Sequence, residues 1–399
     1  MSQPLTIDHP SISTVRRNRK LLSIAHSYVV ALNRRLAQEM SRVGVGDWEV
    51  TAVAPDFFHG DLRPVYLEYD EREPCRLVPV PVRFSRKVHV MLYGSRLKRL
   101  VQDEKWDLVH CWEEPFIVAA GQVARWTPPG TPLVFWTAQN LSKSYPPPFR
   151  WIERQCIDRC SGWMACGESI VRAMLTRGYG SKPHRIMPLG VDSSRFRPDS
   201  AAREWARRKL GWSEPGPPVV GYVGRFVAEK GLHVMMHALD AVTTPWRALL
   251  LGGGPMEGEL RRWASKYPGR AIIAPAVKHD EVPAYINAMD LLLAPSQTAA
   301  LWREQFGRML IEAFACGVPV LASDSGEIPF VVADAGRIVP EGDESAWASA
   351  IGEILNSPNT REEMRRNGIE RVAGNYTWPI VARRHLDFFD ELLDAPACR

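Results

Sequence analysis

Seven residues separate Glu304 and Glu312 in "EQFGRMLIEAFACGVPVLASDSGEIP", residues 304–329. A carboxylate only accepts hydrogen bonds and takes two neighbouring hydroxyls at once, which suits the diol of a sugar or a ribose. "LLLAPS" reads as a strand ending at Ser296, and Pro319 bounds the far end of a helix expected from Phe306. Glu304 is then expected to reach outward from a loop, and Glu312 to face a cleft from about two turns inside the helix. The backbone N–H groups of Gln305, Phe306 and Gly307 are expected to point the same way as Glu304, as free donors at a helix start do. The same spacing fits a dipole-capping Glu304 and a salt-bridged Glu312, and the pair in isolation does not choose.

A second group of charges lies earlier. Gly224, Arg225 and Phe226 follow a strand, and Glu229, Lys230 and Gly231 open what reads as a helix. Two fixed cations beside the positive end of a helix dipole suit a diphosphate, although Arg225 and Lys230 read equally well as solvated surface charges. Gly252, Gly253 and Gly254 do not complete a dinucleotide fingerprint, because position 257 holds Glu257. They read as a turn that lets another group approach the backbone. No D-x-D occurs, so a metal-bridged diphosphate has no support and no metal is expected. Cys156, Cys160 and Cys166 lack a complementary ligand cluster, and the seven cysteines, without a C-x-x-C pair, read as reduced thiols of a cytoplasmic protein.

These groups need elements to hold them. The 399 residues, 45% hydrophobic and 24% charged, suit two to three soluble domains, and a net charge of +5 is too small for the basic stripe of a nucleic-acid binder. Arg16, Arg17, Arg19 and Lys20 precede "LLSIAHSYVVAL", but His26 interrupts the run and no small-residue cleavage site follows, so a buried first strand is expected rather than a signal peptide. No apolar run reaches the roughly 18 residues of a membrane span. Apolar strands alternate with helical segments: "LLSIAHS" then "YVVALNRRLAQEMSRV", "WEVTAVAP", "WDLVHCW", "PLVFWTAQ", "GWMACGE" then "SIVRAMLTRGYG". After the Pro/Gly-rich "SEPGPP" at 213–218 the alternation restarts with "VVGYVGRF", "RALLLGGG", "AIIAPAV", "LLLAPS" and "VPVLAS". Such alternation predicts two parallel sheets covered by helices, an α/β chain of two Rossmann-like doubly wound domains. Ligands of such sheets bind beyond the carboxyl ends of the strands, here in a cleft between the domains.

The segments "GYVGRFVAEKGLHVMMHAL", "LLLGGGP", "MDLLLAPS", "EQFGRMLIEAFACGVPVLASDSGEIPFVV" and "AGRIVPEGD", in this order, resemble the donor half of the family 4 retaining glycosyltransferases of GT-B fold over residues 219–345. "LGVDSSRFRP" looks like that family's interdomain connection, and "YTWPIVARRHLDFFDELL" resembles the helix that crosses back onto the first domain. The resemblance implies an acceptor domain at 1–197 with helix 376–399 packed on it, and a donor domain at 198–375. It implies that Gly224, Arg225 and Lys230 bind the donor diphosphate, that Glu304 with Gln305, Phe306 and Gly307 holds the donor sugar, and that Glu312 holds the ribose, with Arg225, Lys230 and Glu304 serving catalysis.

The implied activity is retaining, metal-independent transfer of a sugar from a UDP- or GDP-sugar to an acceptor that is a sugar, a lipid or a small molecule. The donor is a substrate, and no cofactor and no nucleic-acid partner are expected. The chain departs from the family where many members carry a Gly-Gly loop, here "AHSYVVALN", and where many carry a histidine, here "WTAQN" or "HCWEEP". His26, Glu113 and Gln139 are therefore the candidates for touching the acceptor. A sugar-nucleotide epimerase of the same fold and a non-catalytic sugar-nucleotide binder are the alternatives. Finally, "RFSRKVHVMLYGSRLKRL", residues 83–100, is expected to form a basic amphipathic helix able to lie on the inner face of a membrane, or an ordinary solvated helix face.

Overall fold

The computed structural model describes residues 17–60, 64–69, 72–212, 215–274 and 277–395. Arg16, Ser213 and Glu214 of the Pro/Gly-rich break, Pro275 and Ala276 of "AIIAPAV", and Cys398 lie outside them.

The apolar runs form strands, those at the centre of each sheet buried on both faces and those at the edges partly exposed. In the first half these are β1 (Arg19–Ile24), β2 (Trp48–Pro55), β3 (Arg76–Val80), β4 (Leu108–Cys111), β5 (Leu133–Thr137), β6 (Gly162–Ala165) and β7 (His184–Ile186). In the second they are β8 (Val219–Arg225), β9 (Arg247–Gly253), β10 (Ala271–Ala274), β11 (Leu291–Ala294), β12 (Val320–Ser323) and β13 (Arg337–Val339). All ladder pairs of the two main sheets are parallel, with orders β7-β6-β5-β4-β1-β2-β3 and β10-β9-β8-β11-β12-β13. Each order reverses once, at β1/β4 and at β8/β11. Such a reversal sends the connections after its two strands to opposite faces and opens a crevice at their carboxyl ends.

The helices that bear on the site are α1 (Arg35–Val43), α2 (Ser95–Asp103), α3 (Glu168–Leu175), α4 (Arg308–Ala315) and α5 (Trp378–Asp394). α5 lies against the first sheet. Arg19 on β1 pairs with Asp390 and Asp394, Phe389 meets Trp48 edge-on at 6.1 Å between centroids, and Val191 bridges Thr377. The layers are sealed by large side chains, with Trp163, Trp246 and Trp347 at most 1% exposed. Each such burial contributes on the order of 2–3 kcal/mol of hydrophobic stabilisation.

Three local expectations fail. The helix expected over "YVVALNRRLAQEMSRV" begins only at Arg35, because Val30 is extended and two 3-10 turns, His26–Val29 and Ala31–Arg34, precede it. Tertiary contacts override helical period here: Arg34 is fully buried, donates to the Tyr28 and Glu68 carbonyls, and pairs with Glu73 at 3.0 Å. The segment 83–100 is not one helix. It runs through a short ribbon (Val82–Arg83 with Leu92–Tyr93), a 3-10 turn (Val88–Val90) and the start of α2, whose Leu97, Leu100 and Val101 are buried in the core. Lastly, the helices expected at Lys230 and Phe306 start later, at Leu232 and Arg308, each behind a left-handed glycine, Gly231 (φ +67°) and Gly307 (φ +80°).

Candidate functional site

Two crevices at the sheet reversals carry most of the residues singled out from sequence. In the second sheet, β8 ends in Arg225 and β11 runs into Ser296, so the loops after them form the two walls. The backbones there pack without room for side chains. A Cβ on Gly252 would lie 1.8 Å from the Gly224 carbonyl oxygen, and one on Gly231 would lie 1.7 Å from that of Pro295. Both glycines also have positive φ, which explains why this loop is glycine-rich without being a dinucleotide fingerprint.

Glu304 does not reach outward. It is 6% exposed and ion-paired with Lys230, whose ammonium also lies 5.1 Å from the centre of the Trp302 ring. Ser296 Oγ, fully buried, donates to the same carboxylate oxygen, Oε2, at 3.0 Å. Among the described residues no protein donor reaches Oε1, and the backbone N–H groups of Gln305, Phe306 and Gly307 find no acceptor. Phe306 is buried against Tyr376, and Gln305 is exposed. Arg225 is exposed and, among the described residues, has no carboxylate within ion-pair distance, while its carbonyl accepts from the Tyr222 hydroxyl at 2.8 Å. Glu312 follows the start of α4 by about one turn rather than two. Burial pushes its carboxyl up to about 7, against the pull of Arg308 and Arg195. This crevice thus gathers two cations, a half-used carboxylate and unpaired amides, a set suited to an anionic, hydroxyl-rich ligand.

The first-sheet crevice is different. His26 and Glu113 each lie two residues past a strand end, and the Trp112 N–H bonds to the Ile24 carbonyl at 2.8 Å to hold the two loops together. Glu113 is fully buried at its side chain. It accepts from the His26 backbone N–H at 2.6 Å and the Tyr93 hydroxyl at 2.6 Å, and meets His26 Nδ1 at 2.5 Å. Glu114 accepts from Thr137 Oγ1 at 2.6 Å and the Ala138 N–H at 2.9 Å, and burial raises its pKa. Beside them opens a cavity of about 560 Å³ walled by stacked aromatic pairs, Trp112 on Trp136 at 4.4 Å and Phe116 on Tyr145 at 4.0 Å. Gln139 lies in the loop after β5 and does not line it.

Asn140 and Glu327 tie the halves together beside these crevices. Asn140 Nδ2 donates to the Glu304 carbonyl at 2.9 Å. Glu327 accepts from the Glu168 and Ser169 N–H groups at the start of α3, at 2.8 and 2.9 Å, and from Ser169 Oγ. Gly167 and Gly326 make this approach possible, since a Cβ on either would lie within about 2.1 Å of Glu327 Oε1 or the Glu304 carbonyl. Sequence reasoning missed Ser296, Asn140, Tyr93 and Glu327. Only Gly326, in "SDSGE", hinted at close backbone approach. The six described cysteines are buried and free, and no three His, Cys, Asp or Glu side chains of the described residues gather as for a metal.

The family model described as glycosyl transferases group 1 matches residues 203–371, and that described as glycosyltransferase family 4 matches residues 29–195. Among curated proteins, a GDP-mannose-dependent alpha-(1-6)-phosphatidylinositol monomannoside mannosyltransferase of Mycolicibacterium smegmatis is 34% identical over 201 residues, 48% of this chain and 52% of that protein. A D-inositol 3-phosphate glycosyltransferase of Salinispora tropica is 32% identical over 235 residues, 53% of this chain and 47% of that protein. The chain spans about half the length of these relatives. Among solved structures, a glycosyltransferase from Rickettsia africae (TM-score 0.73, 14% identity, 95% of this chain and 100% of that one) shares the fold. So does Anabaena HepE in complex with UDP (TM-score 0.70, 16% identity, 94% and 100%).

Proposed function

Because the chain belongs to glycosyltransferase family 4 and has its GT-B architecture, we propose that it transfers a sugar from a nucleoside-diphosphate sugar to a hydroxyl-bearing acceptor with retention of anomeric configuration. Residues 198–375 form the donor side, and residues 1–197 with the C-terminal helix form the acceptor side. The observation that carries this reading is the convergence of Lys230, Ser296 and Glu304 at one sheet reversal, with Arg225 exposed at the end of β8.

As the acceptor hydroxyl oxygen bonds to the anomeric carbon, the bond from that carbon to the diphosphate breaks, its electron pair leaves on a phosphate oxygen, and that oxygen takes the acceptor's proton. Arg225 and Lys230 meet that growing charge, and charge-assisted contacts of this kind contribute about 1.5–3 kcal/mol each. Glu304 Oε1 and the amides of Gln305, Phe306 and Gly307 take the sugar hydroxyls, and Glu312 takes the ribose. GDP-mannose in the name of the mycobacterial relative, and UDP in the HepE complex, make GDP- and UDP-sugars the donors to try first. Peripheral contact with an anionic membrane is part of the proposal, resting on the exposed Arg96, Lys98 and Arg99 of α2. Failure to co-sediment with anionic vesicles at low salt would remove it. No helix among the described residues is long and apolar enough to cross a membrane.

The test is titration of the full chain with UDP and GDP. One of them should bind, and Arg225→Ala should weaken that binding ten- to a hundredfold with an unchanged circular dichroism spectrum. Binding of neither, or equal binding by the variant, overturns the reading.

A further inference from the structure

We infer that the aromatic cavity of the first domain is an acceptor pocket for a neutral molecule with an apolar body, alkyl or aryl, that carries the hydroxyl to be glycosylated; the word acceptor rests on the transferase reading above. At about 560 Å³ the cavity falls in the range of small-molecule sites. Lys143 and Tyr145 on its wall belong to the loop after β5, the loop that also carries Asn140 to the Glu304 carbonyl.

Its chemistry is the inverse of that crevice. The walls are ring faces and aliphatic carbons, from Trp112, Phe116, Tyr145, Phe149, Ile117 and Val88. The carboxylates that line it are already occupied by protein donors, Glu113 by Tyr93 and by the backbone and ring of His26, Glu114 by Thr137 and Ala138. A bare sugar or polyol would find few groups left to replace the water around its hydroxyls, and unpaired polar groups in an apolar site cost about 1–3 kcal/mol each. A phosphate would meet two carboxylates of its own sign, with Lys143 the one lysine or arginine on the lining, exposed and lying 5.4 Å from the Tyr145 ring centre. An apolar body covers the rings instead, and its hydroxyl is left for the polar end at His26, whose ring Glu113 orients.

The probes are octyl β-D-glucopyranoside below its micelle threshold, phenyl β-D-glucopyranoside, glucose and inositol 1-phosphate, each titrated calorimetrically into the full chain. At least one glycoside should bind tenfold or more tightly than glucose and inositol 1-phosphate, and the tighter of the two separates an alkyl from an aryl body. Phe116→Ala, and independently Val88→Trp, which fills the space from a partly exposed wall, should weaken that glycoside about tenfold while UDP or GDP binding stays at the wild-type level. Glycoside binding sensitive to both variants in a chain that binds neither nucleotide would keep the pocket's ligand class and sink the transferase reading alone. Glucose or inositol 1-phosphate binding as tightly as the glycosides, or glycoside binding unchanged in both folded variants, overturns the inference.

Discussion

The crevices at β1/β4 and β8/β11 are made by the same topological device, yet one is charged and glycine-bound and the other aromatic and nearly apolar. Under the proposed function, the difference follows from what each must hold. A diphosphate sugar carries fixed charge and many hydroxyls, so a site for it needs cations, free amides and backbone close enough to exclude side chains. A ligand recognised by its apolar body needs only volume and ring faces. The parallel sheet fixes where a site forms, and side chains on the following loops decide its chemistry.

Backbone closeness is the sharpest difference between the halves, and Gly231→Ala should have the largest effect. Its Cβ would fall 1.7 Å from the Pro295 carbonyl oxygen at a φ of +67°. Strain and overpacking together should cost about 4 kcal/mol, with nucleotide binding lost. Gly130 of the first half also has positive φ (+86°), but no atom would lie within 4 Å of its added Cβ, so Gly130→Ala should cost only about 1 kcal/mol. Equal losses in chemical denaturation would show that the close approach between the β8 and β11 loops does not matter.

The acids of the two crevices also differ. Glu113 and Glu114 are held by several protein donors, whereas Glu312 is raised from 4.5 to about 7 by burial, with only Arg308 and Arg195 opposing. Between those values the folded chain keeps a proton that the unfolded chain has released, so stability falls as pH rises through this window, by about 3 kcal/mol in total. Glu312→Gln should flatten the decline and melt above wild type at pH 8. It should nonetheless weaken nucleoside diphosphate and sugar nucleotide alike, since each has the ribose. Parallel melting curves against pH for the two proteins would break the argument.

That contrast also explains what the sequence revealed. Fixed charge and strained glycines leave residue-type signals, so "GRF", "EKG" and the glutamate spacing marked Arg225, Lys230, Glu304 and Glu312 as candidates, while the family resemblance assigned them their proposed roles, and the alternation of apolar runs gave both sheets. Phe116, Tyr145, Trp112 and Trp136 carry no such signal, because a ring lining a cavity and a ring filling a core look the same in sequence. Tyr93, which donates to Glu113, fell in the segment read as an amphipathic surface helix. Asn140 acts through a hydrogen bond to a residue 164 positions further on, and Ser296 through a loop that folds Glu304 back onto it eight residues later, and helical or strand periodicity shows neither.

Removing the charge of Glu304 should separate two roles within the donor crevice. Glu304→Gln keeps the shape but weakens the tie to Lys230, and should lower turnover by about 1.5–3 kcal/mol, expressed as kcat/KM. Free nucleoside diphosphate, which lacks the sugar, should lose less affinity than the sugar nucleotide. Lys230→Ala should weaken both ligands, and should also destabilise the fold, because it leaves a nearly buried carboxylate without its cation. If both variants lose stability while kinetics and nucleotide affinity stay unchanged, the ion pair is structural only.

The smallest expected effect links the crevices. Asn140 belongs to the loop after β5 in the first half, and its amide bonds to the Glu304 carbonyl, not to the carboxylate. Asn140→Ala therefore removes no ligand contact. It lets the Glu304 backbone shift, at a cost of about 1 kcal/mol, the net worth of an ordinary hydrogen bond. Because nucleoside diphosphate binding depends on Arg225 and Lys230, that affinity should stay near wild type while kcat/KM falls several-fold. The comparison sharpens in the double variant: if Asn140 works by placing the Glu304 carboxylate, its loss should cost little once Glu304→Gln has removed the charge, and the two effects should be less than additive. Full additivity in that cycle would mean that the two crevices act independently and that the Asn140 bond merely holds the halves together.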